Sequence, residues 1–148
     1  LASGALKWSF QALANDVWHL GCNFDQAKSG PNCPNPDDSV LKDYDFGAGA
    51  LIAQRKDGKD IILAGQKSGD LWGLDPDAHG KVLWRQTFGH GSPLGGIHWG
   101  LATDGERVFA AINDPHMPVE GYVPEPGMNA VDITTGKVIG PMFCCTPW

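Results

Sequence analysis

The sequence predicts an all-β chain, a partial β-propeller of about two to two and a half four-stranded blades. A short phrase recurs as Gly4-Ala5-Leu6-Lys7-Trp8, Gly80-Lys81-Val82-Leu83-Trp84 and Gly136-Lys137-Val138-Ile139-Gly140, each time a turn glycine leading into alternating apolar residues. The second and third copies are preceded by Leu74-Asp75 and Val131-Asp132, so the full phrase reads apolar, Asp, short turn, Gly, strand. With Gly at 20 and Pro at 11 in 148 residues, the composition favours many short strands, and no long stretch has helical periodicity.

The elements follow in order. Residues Lys7 to Gln11 complete a strand, and Ala12 to Tyr44 are mostly loop. Ala50 to Arg55 is a strand ended by the turn Lys56-Asp57-Gly58-Lys59. Asp60 to Gln66, Asp70 to Asp75 and Lys81 to Gln86 are three further strands, joined by the turns at Lys67-Ser68-Gly69 and Pro76 to Gly80. A second unit repeats the scheme: Ile97 to Thr103, Arg107 to Ile112, a Pro-rich excursion from Asn113 to Gly127, Met128 to Ile133, and Lys137 onward. Radial repetition of four-stranded sheets suits a propeller better than a sandwich, with Trp8 and Trp84 docking between neighbouring sheets. The organisation is therefore 1–11 as the end of a preceding blade, 12–92 as a long loop plus one blade, and 93–148 as the next blade and the start of its successor. Because the chain opens inside a repeat and stops just after one, the physical unit is expected to exceed it, the remaining blades coming from the same or another chain.

Composition bounds the function. Hydrophobic residues at 42% with charged residues at 19% support a packed core. Lys and Arg at 11 against Asp and Glu at 17 give a formal charge of −6 without a basic cluster, which disfavours nucleic acid as a partner. No apolar run approaches the roughly 20 residues that span a bilayer. Of the cysteines, Cys22 and Cys33 bracket a polar, Gly- and Pro-bearing loop that a disulfide would hold together, which places the chain in a periplasmic or secreted compartment. A zinc site competes with that reading, although no Cys-x-x-Cys occurs. Adjacent Cys144 and Cys145 could form a vicinal ring, pair elsewhere or stay free.

The run Asp60-Ile61-Ile62-Leu63-Ala64-Gly65-Gln66-Lys67-Ser68-Gly69-Asp70-Leu71-Trp72-Gly73-Leu74-Asp75, the phrase Gly95-Gly96-Ile97-His98-Trp99-Gly100, and Leu6-Lys7-Trp8-Ser9-Phe10-Gln11 followed by Asn15-Asp16-Val17-Trp18 resemble the pyrroloquinoline quinone (PQQ) dehydrogenases. The Cys22 to Cys33 insert and Asp43-Tyr44-Asp45-Phe46-Gly47-Ala48 are most similar to the polyvinyl alcohol dehydrogenase branch. The resemblance implies an eight-bladed ring holding PQQ and calcium near its axis, oxidising an alcohol substrate by hydride transfer and passing electrons to cytochrome c.

Carried onto this chain, it implies a catalytic base at His19, where the family places an acidic residue, with Asp16 as the other candidate. Both also fit plain loop roles, Asp16 bonding backbone and His19 as a satisfied loop histidine. Lys67 falls where the family places a cation donating to the quinone oxygens, or is an exposed turn lysine. His98 or Trp99 would contact the ring, with the adjacent glycines admitting a flat ligand; chain order favours His98. Asn113 follows a strand that could face a metal, but one Asn is no calcium site, and the metal ligands stay unassigned. The competing function is a non-catalytic propeller acting as a binding or assembly scaffold.

Overall fold

The structure is a computed structural model that describes residues 3–19, 21, 22, 33, 34, 42–115 and 121–142. Cys144, Cys145 and the interior of the Cys22 to Cys33 loop lie outside the described residues. Among the described residues eight strands form: β1 (Leu51–Gln54), β2 (Asp60–Gly65), β3 (Asp70–Asp75), β4 (Lys81–Thr87), β5 (Leu101–Thr103), β6 (Arg107–Ile112), β7 (Gly127–Asp132) and β8 (Val138–Met142). They make two antiparallel four-stranded sheets in sequential order, β1-β2-β3-β4 and β5-β6-β7-β8, and there is no helix among the described residues.

Each recurring Asp closes its turn by the same chemistry. Asp75 Oδ1 accepts from the amides of Asp77 and Ala78 (2.9 and 3.1 Å), and the Gly80 amide returns to the Asp75 carbonyl. Asp132 Oδ1 accepts from Thr134 and Thr135 (3.0 and 2.8 Å), and Gly136 returns to Asp132. Both sheets then carry a bulge at the same step, between Gly73 and Leu74 and between Ala130 and Val131. The bulge sets Trp84 opposite Gly73 and, in the second sheet, Gly140 opposite Ala130.

Trp84 joins the sheets. Its Nε1 donates to the Ile133 carbonyl at 3.0 Å, and its ring lies on two glycines. A Cβ at Gly73 would stand 2.3 Å from the indole, and one at Gly136, where φ is +71°, would stand 2.5 Å from it. Trp8 repeats the arrangement one sheet earlier, its Nε1 donating to the Pro76 carbonyl at 3.1 Å and its ring covering Gly80. Around Trp84 the core fills the space between the sheets with Ile61, Leu63, Leu71, Val108, Ala110 and Val131. The far side of the first sheet is covered by the N-terminal segment, where Phe10 meets Trp72 edge-on at 5.2 Å.

Two predicted strands are corrected. Lys7 to Gln11 forms no strand: a strand exists only within a ladder, and no described strand lies beside this segment, which docks through the Trp8 and Phe10 side chains instead. The strand predicted over Ile97 to Thr103 is reduced to an isolated Gly96–Asn113 bridge and β5. The cause is Ile97, whose amide donates to the Gln66 carbonyl (3.0 Å) and whose side chain packs on Gly65, drawing the backbone toward the first sheet. The other strands fall within a residue or two of the predicted bounds, and Cys22 and Cys33 are joined by a disulfide.

Replacing Trp84 by Ala removes a buried indole from between two glycines that cannot collapse onto the gap. A loss of about 3–5 kcal/mol in urea unfolding is expected, with Trp84→Phe intermediate because only the hydrogen bond and part of the ring go. A loss below about 1 kcal/mol would show that the seam is held elsewhere.

Candidate functional site

The site grows from the β2–β3 turn. Gln66 and Gly69 close it by a backbone bond (2.9 Å), and Ser68 Oγ donates to Gln66 Oε1 and Asp70 Oδ2. Asp70, buried, is fixed in turn by a two-pronged contact from Arg85 (2.9 and 2.7 Å) and by Thr87 Oγ1, while the Arg85 guanidinium lies over the Trp72 ring. Burial would raise the Asp70 carboxyl, but the Arg85, Thr87 and Ser68 bonds outweigh it and hold the group below the usual carboxylate range. Lys67 therefore projects from a rigid turn.

A second segment, 42–46, runs alongside. Asp16 captures it: Oδ1 accepts from the amides of Lys42 and Asp43 (3.0 and 3.1 Å) and Oδ2 from that of Tyr44 (2.7 Å). Gln66 Nε2 donates to the Tyr44 carbonyl (2.7 Å) and the Lys67 amide to the Asp45 carbonyl (3.0 Å). The carboxylates of Asp43 and Asp45 are thereby brought to the Lys67 ammonium, at 3.2 and 3.1 Å. Lys67 and Asp43 side chains are nearly covered, at 10% and 11% exposure, whereas Asp45 is 65% exposed.

The three charges set one another. Burial alone would lower the Lys67 pKa, but hydrogen bonds to Asp45 and Asp43 outweigh it and raise it above its ordinary 10.5. Burial and the neighbouring Asp45 push Asp43 up. Burial also acts upward on Asp45, yet the bonds to Lys67 and Asp43, with a contribution from the nearby His98, bring it below its ordinary value. The outcome is a covered ammonium beside an ionised, accessible carboxylate.

Asp45 borders a cavity of about 200 Å³ whose walls include Phe10, Leu13, Asp16, Tyr44 and Gln66. His98 packs against Gly47, the glycine that ends this segment, where a Cβ would stand 3.0 Å from the imidazole. Its Nδ1 is buried and has no hydrogen-bond partner among the described residues. Trp99 stacks on the His98 ring (4.4 Å, 15° between planes) and is otherwise 81% exposed, a flat surface next to the site.

The expected site residues thus separate. Lys67 and His98 converge on one cluster with Trp99 beside it, and Lys67 is no exposed turn lysine. Asp16 spends both oxygens on backbone amides. His19 lies at the disulfide corner, its Nδ1 accepting from the Gly21 amide (2.9 Å) and its carbonyl from the Cys22 amide (2.7 Å); it is not among the side chains lining the cavity. Asn113 pairs with Gly96 through backbone and donates from Nδ2 to the Leu94 carbonyl (2.8 Å). Sequence reasoning missed Asp43 and Asp45 as site residues; the available signal was the pair of carboxylates two apart in Asp-Tyr-Asp-Phe-Gly.

It missed a second cluster as well. Asp114, with a side chain 1% exposed, accepts from the His90 amide (3.2 Å), His90 Nδ1 (2.8 Å), the Tyr122 hydroxyl (2.7 Å) and the Glu125 amide (2.8 Å). Burial works against its charge, but these donors win and hold its pKa at about 2. Tyr122 is pushed up to about 12 by the bond it gives to Asp114. Among the described residues no group of three His, Cys, Asp or Glu side chains is arranged to hold a metal ion. No helix among them is long and apolar enough to cross a membrane.

The chain is similar to two proteins that carry the name polyvinylalcohol dehydrogenase. The one from Sphingopyxis sp. (strain 113P3) is 38% identical over 136 residues, which is 92% of this chain and 20% of that protein. The one from Pseudomonas sp is 32% identical over 136 residues, again 92% of this chain and 20% of the relative. The chain therefore spans about a fifth of the length of these relatives. No family model matches it, and no solved structure matches it.

Asp16→Ala leaves the Lys42, Asp43 and Tyr44 amides without their acceptor. Hydrogen exchange at these amides is expected to quicken about ten- to a hundredfold, the equivalent of about 1–3 kcal/mol, with a smaller effect for Asp16→Asn. Unchanged exchange would mean that the segment is held by Gln66 and Lys67 alone.

Proposed function

We propose that the chain is part of a PQQ-dependent alcohol dehydrogenase propeller, in which Asp45 is the base that takes the alcohol proton and Lys67 is the cation facing the quinone. The observation that carries this reading is the Asp43–Lys67–Asp45 cluster, whose Asp45 borders a cavity, supported by the similarity to the two dehydrogenases. The remaining blades, a cytochrome c acceptor and a periplasmic or secreted location belong to the same proposal; the disulfide is compatible with that compartment.

The side chains suited to a flat quinone stand beside the cavity that Asp45 borders and not in its wall. Lys67 offers an ammonium hydrogen beyond those given to Asp43 and Asp45, His98 presents a buried nitrogen without a partner among the described residues, and Trp99 adds an open aromatic face. Lys67, His98 and Trp99 would hold the ring. When bound, an ortho-quinone would supply the acceptor for the hydride of the alcohol carbon. The protein's own work is electrostatic and positional. Asp45, ionised and open to the cavity, accepts the hydroxyl proton as the carbonyl product forms. Asp43 keeps Lys67 charged and held in place, and that positive charge would offset negative charge gathering on a bound acceptor. Calcium finds no ligand set among the described residues, since Asp16 spends both oxygens on backbone amides and Asp43 and Asp45 share the Lys67 ammonium.

Asp45 takes the role expected of His19 for a geometric reason: it borders the cavity and touches the cation, whereas His19 is engaged at the disulfide corner. The substrate proposed is a neutral alcohol, in keeping with the relatives' name, because Asp16 and Asp45 in the cavity wall repel anions.

The test is reconstitution of the full-length protein with PQQ, with and without calcium, followed by an absorbance scan and dye reduction with secondary alcohols and polyvinyl alcohol. Retained quinone and alcohol-dependent reduction are expected; neither one appearing would leave a binding scaffold. Asp45→Asn should lower kcat by about 10²–10⁴ with quinone retained, and His19→Ala should leave it unchanged. Because Asp45 titrates below its ordinary 3.8, it stays ionised as pH falls and is lost as a base only below that value, so the acid limb of kcat/KM should lie there. An acid limb of kcat/KM that vanishes in His19→Ala would return the base to His19.

A further inference from the structure

The loop from Phe88 to Ile97 lies between the Lys67 turn and the buried carboxylate of Asp114. On one side it is pressed onto the turn. The Ser92 amide donates to the Lys67 carbonyl (3.1 Å) and the Ile97 amide to the Gln66 carbonyl (3.0 Å). The fit leaves no room for side chains: a Cβ at Gly91 would stand 2.4 Å from the Ser68 carbonyl oxygen and one at Gly96 2.1 Å from that of Lys67, and both residues have positive φ. On the other side the loop is pinned at both ends. His90 gives Asp114 its amide and its Nδ1, and Gly96 exchanges two backbone bonds with Asn113, the residue before Asp114 (2.7 and 2.9 Å). Tyr122 and the Glu125 amide complete the carboxylate's shell from the end of the excursion that precedes β7.

We propose that Asp114 is a positioning residue for the oxidation site: through His90 and the 88–97 loop it holds the Lys67 turn and the approach to His98 in place, without itself touching substrate or quinone. A buried carboxylate accepting from four donors on three residues of two separate segments is a rigid fulcrum, because loss of its charge weakens every one of those bonds together. Both cofactor-facing side chains depend on the clamped loop. Lys67 carries the carbonyl that the loop grips, and His98 follows directly on Ile97, the last residue so held. Displacements on the order of 1 Å in a positioning element are enough to cost up to about a hundredfold in turnover.

The inference rests on the proposed oxidoreductase site, and its test has an arm that needs no turnover. In the full-length protein, the rate at which a neutral acylating reagent modifies the Lys67 amine is followed by peptide mass spectrometry, in wild type and in Asp114→Asn. The side chain is nearly covered, and release of the loop should speed modification about tenfold. In the PQQ-loaded protein the same variant should lose about tenfold in kcat with KM changed less than about twofold, the signature of lost positioning. Asp114→Asn that melts earlier but leaves Lys67 modification and kcat at wild-type levels overturns the proposal, since Asp114 is then only a stabiliser. If Asp114→Asn does not fold, Tyr122→Phe and His90→Ala each remove part of the shell and should raise Lys67 modification about two- to fivefold; no rise in either overturns the proposal equally. Should the wild-type protein oxidise no alcohol, the functional reading fails while the modification rates still decide the role of Asp114.

Discussion

An indole resting on two glycines sets the spacing on which the rest of this molecule depends. Trp84 covers Gly73 in its own sheet and Gly136 in the next, and its Nε1 is satisfied by the Ile133 carbonyl. The distance between the sheets is therefore fixed by the thickness of an aromatic ring, and the turns at the end of the sheets meet in a fixed relation. Ile97 can reach across to Gly65 and Gln66 only because the sheets stand that close. The loop that supports Lys67 links the two units: Ser92, which bonds the Lys67 carbonyl, ends the first, and Ile97, which bonds that of Gln66, belongs to the second. The site is thus a product of the seam, and neither sheet alone would assemble it.

Holding a cation beneath the surface requires compensation. An ammonium at the exposure of Lys67 loses much of its hydration, and one carboxylate would leave a neutral pair with little field at the cavity. Two carboxylates of unequal exposure do more. Asp43, nearly covered, keeps the ammonium charged; Asp45, open to solvent, keeps its own charge cheaply and faces the cavity. Asp16 makes this possible from a distance, since the three amides that donate to its carboxylate fix the backbone from which both carboxylates project. Asp43 adopts a left-handed backbone, φ +57°, and Asp16 bonds its amide, so the strained turn and its anchor coincide.

The parts legible in the sequence were those written locally. Alternation within five or six residues, with Asp and Gly at fixed offsets, placed β2, β3, β4, β6 and β7 because strand and turn are specified by neighbours in the chain. Lys7 to Gln11 has the same local pattern and forms no strand, since pattern supplies a face but not a partner. Ile97 reads as the start of a strand and is instead recruited by the neighbouring sheet. At the site, Lys67 and His98 stood out through their motifs, yet the carboxylates that complete it did not. Asp45 and Lys67 are 22 positions apart, and His90 and Asp114 are 24 apart. Nothing in either segment announces that distant partner, and Asp16, which looked chemical, serves the backbone.

The repeat is also informative where it breaks. At the position of Trp84 the second sheet carries Gly140, and opposite it, in place of Gly73, stands Ala130. The two differences belong together. Gly73 shows that an indole in this register leaves no room for a Cβ across the ladder, so an indole at position 140 would collide with Ala130, and with the indole gone the small side chain fits. The face that follows this exchange bears Phe109, Ala111 and Met128, the counterparts of Leu63, Gly65 and Leu71, and forms an open apolar groove of about 300 Å³ with Trp99 at its edge. One sheet thus uses a large ring on small partners, and the next uses larger residues from β6 and β7 around a missing ring. The same register and the same bulge serve both, because the ladder is set by the backbone bonds and the Asp-closed turn, which are the same in the two sheets, and the ring is not needed to form it.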